Sequence, residues 1–330
     1  MFNKNLHIWL PSYILWRLRR WARGEHRPRG PVHILFCIAN HLEPMWGRPP
    51  YEIEVRRVET WVQRWPELAR RHKDSHGRPP QHTFFYPLEE YRPEHLDKLA
   101  QLCRQGLGEV EVHLHHDGDT AEGLRKKLET GKRLLASHGL LARDRVTGEI
   151  RYGFVHGNWA LDNSRKDGRW CGVNNELRIL RETGCYADFT LPSAPSDTQT
   201  RKINSIYYAT DDPLKPKSHD RGRDVRVLGQ EAGDLMIVQG VLGLNFKRRK
   251  YGILPRIENC AIDKTQLPTE DRIALWVRSH IHVRGRPEWI FIKAHTHGAQ
   301  EQNWDVLLGG ACDHMFRYLE EVFNDGTNYQ

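Results

Sequence analysis

The stretch HLHHD, His113 to Asp117, puts three imidazoles and a carboxylate at the end of an apolar run, VEVHLHH (110–116). Imidazole and carboxylate suit a borderline divalent cation such as zinc. Such a cation would lower the pKa of bound water and polarise a carbonyl. Two other stretches offer the same donors: IANHLEP holds His41 and Glu43, and KAHTHG holds His295 and His297. Strand residues two apart share a face, so His41 can point with Glu43, His113 with His115, and His295 with His297. One such pair is commonly just a satisfied polar group. Three pairs at three strand ends predict a shared site for one divalent metal, with zinc the natural first choice. His113 would bind it with Asp117 or His115, and with Glu43 or His41. A nearby carboxylate or histidine would act as base and another histidine as acid.

These pairs need a scaffold that brings strand ends together. Short apolar segments recur at HILFCIA (33–39), HTFFYP (82–87), VEVHLHH (110–116), RYGFVHG (151–157), ADFTL (187–191), LMIVQGVLGL (235–244) and WIFIKAHTH (289–297). Amphipathic stretches with helical spacing alternate with them: 52–72, 93–104, 120–138, 174–183, 269–280 and 304–323. This alternation predicts a parallel α/β sheet with crossover helices. The exception is 192–234, rich in Pro, Asp, Ser and Lys, which predicts long loops and a hairpin at INSIYYAT (203–210).

In parallel α/β folds the site lies at the carboxyl ends of the strands. That rule adds His156, Asn158 and Asp162 from VHGNWALDN, and Asp188 from YADF. Trp46, Trp159 and Trp304 lie near the same ends and would stack on sugar rings, with core packing as the competing role.

The chain has 330 residues, of which 38% are hydrophobic, enough for a sizeable core in one domain. No run is long and apolar enough to span a membrane. The opening segment is not a convincing secretory signal, because Pro11 breaks its apolar run and its arginines follow that run. A cytoplasmic protein is therefore expected, with a basic amphipathic segment over 1–30 and the barrel domain over 31–330. The six cysteines show no CxxC, which argues for reduced thiols and against a cysteine metal site. The net charge of +8 gathers at Arg17–Arg29 and at KRRK (247–250). Neither cluster resembles a nucleic-acid motif, so no nucleic-acid partner is expected. Residues 12–23 predict a short helix with Pro11 just before it. Its stripe Ile14, Leu15, Leu18 and Trp21 is expected to pack on the barrel bottom. At most, a weak, salt-sensitive association with the inner face of an anionic membrane is expected.

The strand ends resemble the motifs of the polysaccharide deacetylase superfamily, the NodB-homology domain. EVEVHLHHD sits where that family's second motif stands. His113 takes the place of its first histidine and Asp117 that of its second, with His115 or His116 as the alternative imidazole. IANHLEP sits at the first motif, with Asn40 where the family has its base aspartate and Glu43 as a ligand. FVHGNW and YADFTLPSA stand at the third and fourth motifs without their Arg-Pro and tryptophan, and KAHTHG fits the late histidine. The resemblance covers the architecture of most of 31–323. It implies a distorted seven-stranded (β/α) barrel, a single domain with a long insertion around 192–234. It also implies metal-dependent removal of acetyl groups from the N-acetylated sugars of a glycan or glycan precursor. The late histidine makes His295 or His297 the general acid, with Glu43, Asn40 and Asp188 as further catalytic positions. Trp46, His156, Asn158 and Trp159 would line the substrate, and His41, His113, His115, His116 and Asp117 would supply the metal ligands. Two other readings compete. One is a metallo-phosphoesterase or amidohydrolase, although those enzymes usually carry HxH after the first strand. The other is a polysaccharide-binding barrel that has lost its base, which Asn40 favours.

Overall fold

The computed structural model describes residues 4–23 and 30–330. Through them run α1 (Leu6–Arg23), β1 (His33–His41), α2 (Tyr51–Ala69), β2 (His82–Pro87), α3 (Pro93–Arg104), β3 (Gly108–Leu114), α4 (Ala121–Ser137), β4 (Ala142–Arg143), β5 (Ile150–His156) and α5 (Glu176–Glu182). There follow β6 (Cys185–Asp188), β7 (Ile206–Ala209), β8 (Arg223–Asp224), β9 (Leu235–Val238), β10 (Gly243–Lys250), β11 (Leu254–Glu258), α6 (Glu270–Ser279), β12 (Trp289–His297), α7 (Trp304–Leu307) and α8 (Gly310–Phe323). Local chemistry sets several boundaries. Thr120 caps α4 by accepting from the Gly123 N–H at 3.0 Å, and Pro93 opens α3, where its missing N–H costs nothing.

The strands pair in the order β12–β1–β2–β3–β5–β6–β9–β7–β8, with β4 beside β5. Pairing is parallel from β12 to β9 and antiparallel across β9–β7–β8. All seven expected strand segments contribute, and the sheet curls into a half-barrel. Its count differs from the seven strands expected, because the 192–234 segment adds β7 and β8. INSIYYAT forms no hairpin of its own; its strand β7 lies between β9 and β8.

Among the described residues no ladder joins β12 to the far edge. The gap is filled instead by two irregular segments. Gly240 approaches β12 so closely that a Cβ there would lie 2.4 Å from the Lys293 carbonyl oxygen. Residues 260–262 bond to the backbone of His295 in both directions, at 3.1 and 2.9 Å. The Gly240 approach also explains why LMIVQGVLGL divides into β9 and β10. Likewise 304–323 divides into α7 and α8 at Leu308–Gly309, where a Cβ on Gly309 would lie 2.4 Å from the Asp305 carbonyl.

The outer face of the sheet carries the main core. Phe36 stacks on Trp276 of α6 and meets Phe316 of α8 edge-on, while Trp61 and Trp65 of α2 are fully buried. The inner face is plugged by a smaller cluster of Ala39, Phe85 and Val155, with Phe189 against it. That plug sits one step below the strand-end histidines.

The amino-terminal helix departs from expectation. It starts at Leu6, so Pro11 lies inside it. The face it buries holds Trp9 and Tyr13, packed with Ala194, Ile203 and Leu242. Ile14, Leu15, Leu18 and Trp21, expected to cover the barrel, are exposed. The aromatic face removes more apolar area from water and so wins the contact. Arg27 and Arg29, part of the basic stretch, lie outside the described residues. No helix among the described residues is long and apolar enough to cross a membrane.

Candidate metal centre

Register brings the expected pairs together. β1 and β12 run side by side in parallel, with His41 opposite His297 and Ala39 opposite His295. The imidazole of His41 lies 4.8 Å from that of His297, 5.0 Å from His113 and 6.4 Å from His295, centroid to centroid. His113 and His115 share the inner face of β3, 4.5 Å apart. Glu43 stands at the hub. Its Oε1 is 3.3 Å from His113 Nε2, 3.9 Å from His115 Nε2 and 4.0 Å from His41 Nδ1. Donor atoms of His41, Glu43 and His297 lie within 4.8 Å of one another, as do those of Glu43, His113 and His115. The described residues therefore contain buried imidazole and carboxylate groups at metal-ligand spacing, sharing Glu43.

The supporting contacts fix these rings. His113 Nδ1 donates to the Val155 carbonyl at 2.7 Å, which leaves Nε2 free to face Glu43. Glu89 Oε1 accepts both the His115 backbone N–H at 3.1 Å and its Nδ1 at 2.6 Å. Burial alone would raise the Glu43 carboxyl. The hydrogen bond and charge of His113, aided by His297 and His115, instead hold it below the usual carboxylate range. Burial pushes His41 down, and the neighbouring imidazoles add to it. Burial pushes His297 and His295 down too. His115 goes the other way: burial opposes its charge, but Glu89, Glu43 and Glu90 outweigh it. Glu90, with its Oε2 on the Met45 N–H at 2.7 Å, is raised to about 7 by burial. The downward shifts at His41 and His297, beside a carboxyl held low at Glu43, favour the deprotonated donors a divalent cation needs. The donor set fits such an ion.

Not every expected residue joins. Asp117 is exposed and accepts the Trp170 N–H at 2.6 Å, away from the cluster. Asn40 points to the opposite face of β1 from His41, as strand alternation requires. There it accepts the Gly298 N–H at 2.8 Å beside Trp61, so it positions a backbone turn rather than standing at the centre. Asp188 is buried with both oxygens on Thr190, and burial raises it to about 7. His295 lies a level below His297, its Nδ1 without a partner among the described residues. Trp159 meets His297 edge-on at 6.4 Å, next to the exposed Asn158, and Trp46 is 43% exposed. Trp304 donates to the Gly298 carbonyl at 2.9 Å, a packing role. His116 and His156 leave the rim for a separate buried group with Cys171 and Glu176.

Glu89 and Glu90 were not among the expected residues. The strand-end rule reaches them once the end of β2, YPLEE, is included. Cys171 and Glu176 carry no spacing signal, since a lone loop cysteine and a helix-opening glutamate match no ligand motif. No protein-family model matches the chain, and no curated protein matches it.

Proposed function

We propose that the chain is a metal-dependent hydrolase whose substrate is an N-acetylated sugar of a glycan or glycan precursor. The observation that carries this reading is the pair of donor groups, His41 with Glu43 and His297 and Glu43 with His113 and His115, that share Glu43 at three strand ends. His41, Glu43, His113 and His297 would hold a divalent metal, zinc by donor type. Bound there, it would supply Lewis acidity toward a carbonyl oxygen and a more acidic water.

The chain's own residues would do the rest. Glu89, Glu43 and Glu90 raise the proton affinity of His115, and Glu89 orients it at the mouth. We assign it the proton transfer to the leaving amine. His295 and His297, first candidates for that role, are held neutral by burial. Trp46 and Trp159 would offer apolar faces to a sugar ring. The basic amphipathic α1 would bring the mouth to an anionic surface from the cytoplasmic side, where lipid-linked glycan precursors are found. The imidazole-rich donor set also suits a phosphoesterase or amidohydrolase, which the same assay separates.

The test is metal content together with acetate release from N-acetylglucosamine oligomers, with a phosphate monoester assayed in parallel. His113→Ala should lower bound metal and abolish turnover. His115→Asn should keep the metal and lose roughly 100-fold or more in kcat, the usual contribution of a positioned acid or base. Full metal content in His113→Ala would overturn the ligand assignment. Phosphate release without acetate release would move the chain to the phosphoesterase reading.

A further inference from the structure

We propose that His116, His156, Cys171 and Glu176 form a second metal site, closed and structural, that takes a zinc ion and clamps the 157–175 loop to the sheet. It is separate from the Glu43 cluster and does not depend on what that cluster catalyses.

The four side chains come from different places in the chain. His116 follows β3, His156 ends β5, Cys171 lies in the loop, and Glu176 opens α5. β3 and β5 are parallel neighbours with Leu114 opposite His156, and the His116 ring, two residues further on, lies 4.7 Å from the His156 ring. All four residues are buried, and their donor atoms lie within 4.8 Å of one another. Individual separations are tighter. Glu176 Oε1 is 3.2 Å from His116 Nε2 and 3.5 Å from His156 Nε2, and Cys171 Sγ is 3.3 Å from Glu176 Oε2. Tetrahedral zinc with bonds of about 2.0–2.3 Å separates its ligands by roughly 3.3–3.8 Å. The donor set is a zinc set: two imidazoles, a thiol and a carboxylate.

The outer contacts are those of ligands. His156 Nδ1 donates to the Gly157 carbonyl at 2.5 Å, which leaves Nε2 as a bare acceptor aimed at the cluster. That Nε2 is fully buried and has no hydrogen-bond partner among the described residues. His116 turns Nε2 inward to the Glu176 carboxylate, while its buried Nδ1 lies 3.2 Å from the Asp119 carboxylate without making a hydrogen bond among the described residues. Two backbone N–H groups, of Asn163 at 3.2 Å and Val173 at 3.5 Å, point at Cys171 Sγ, as they do toward bound thiolates. The Asp162 N–H fixes the other face of Glu176 at 2.5 Å.

The loop these residues enclose needs such a clamp. Asn158, Trp159, Asp162, Asn163 and Trp170 all hold left-handed backbone conformations, with φ between 50° and 68°. Asn and Asp tolerate that region, whereas Trp159 and Trp170 hold it only where surrounding structure offsets the strain. The same loop carries Trp159 to the rim above His297. A closed ion here would hold the mouth in shape without touching substrate.

Cobalt substitution of the full-length protein tests the site, because among the donor clusters of the described residues only this one contains a cysteine. The wild-type chain loaded with Co2+ should show a thiolate-to-cobalt charge-transfer band and the visible bands of tetrahedral Co2+. His113→Ala should keep that band, and Cys171→Ser should lose it together with about one equivalent of bound zinc. A wild-type spectrum without the thiolate band would overturn the proposal even if Cys171→Ser fails to fold. A Cys171→Ser protein with undiminished zinc would overturn it as well. Loss of acetate release alone bears on the Glu43 cluster and not on this site.

Discussion

Gly157 is determined by the imidazole it touches. A Cβ at this position would lie 2.3 Å from His115 Cδ2 and 2.6 Å from Cγ, so any side chain must displace the ring. The displacement would act on the His115–Glu89 hydrogen bond and leave His41, Glu43 and His297 in place. Gly157→Ala is therefore expected to lower kcat by tens-fold to about 100-fold, the cost of a misplacement near 1 Å, with metal content unchanged. Steady-state kinetics beside metal analysis checks this, and unaltered turnover would remove His115 from the chemistry. At this scale the sequence was informative where alternation decides: the three His-x-His and His-x-Glu pairs needed only a strand and a neighbour. It misled where motif position stood in for direction. Asn40 occupies the position of the family's base aspartate but faces α2, and Asp117 is held outward by the Trp170 N–H. Cys171 and Glu176 could not be read at all, because their histidine partners are 15 to 60 residues distant and only the fold closes the gap.

Between α2 and β2, a histidine occupies an apolar slot. His82 meets Trp61 and Trp65 edge-on at 4.8 and 4.4 Å and stacks near Phe84, with both ring nitrogens unpartnered among the described residues. Burial lowers its pKa to about 3, from about 6.5 in the unfolded chain. Between those values the unfolded chain binds the extra proton, so stability is present above about pH 6.5 and falls as the pH drops toward 3. His82→Phe keeps the ring and removes both orphan nitrogens. It should stabilise the fold by about 1–3 kcal/mol at neutral pH and flatten the acid limb. Urea midpoints at pH 7 and pH 4.5 measure both effects, and an unchanged difference between the two pH values would sink the assignment. Strands and most helices were legible as elements because their apolar period survives packing. The exceptions lie where a glycine lets two backbones meet, at Gly240 and Gly309, and at α1. In α1 two apolar faces compete, and only the fold shows that Trp9 and Tyr13 win.

Over the whole molecule, the face that α1 does not bury has a counterpart. Ile14, Leu15, Leu18 and Trp21 are 47–84% exposed, and Arg17 and Arg19 stand exposed beside them. The β10–β11 hairpin carries Leu244 and Ile257 into the small core under α1, so helix and hairpin share one support. Toward its tip the hairpin exposes Phe246, Tyr251, Ile253 and Leu254 along with Lys247, Arg249 and Lys250. Exposed apolar residues mixed with cations are the composition of a surface that rests on anionic lipid. Each lysine or arginine near such a surface contributes about 1 kcal/mol, a contribution that salt screens. Five of them give roughly 5 kcal/mol at low ionic strength and much less at high. The chain is therefore expected to float with vesicles containing anionic phospholipid at low salt, to stay behind with neutral ones, and to release at high salt. Lys247→Glu combined with Arg249→Glu should weaken flotation at least tenfold and leave acetate release from soluble oligomers unchanged. Binding that survives high salt would instead mean that Trp21 and the hairpin tip insert among the acyl chains. Absence of binding at low salt would leave this apolar face without a lipid role.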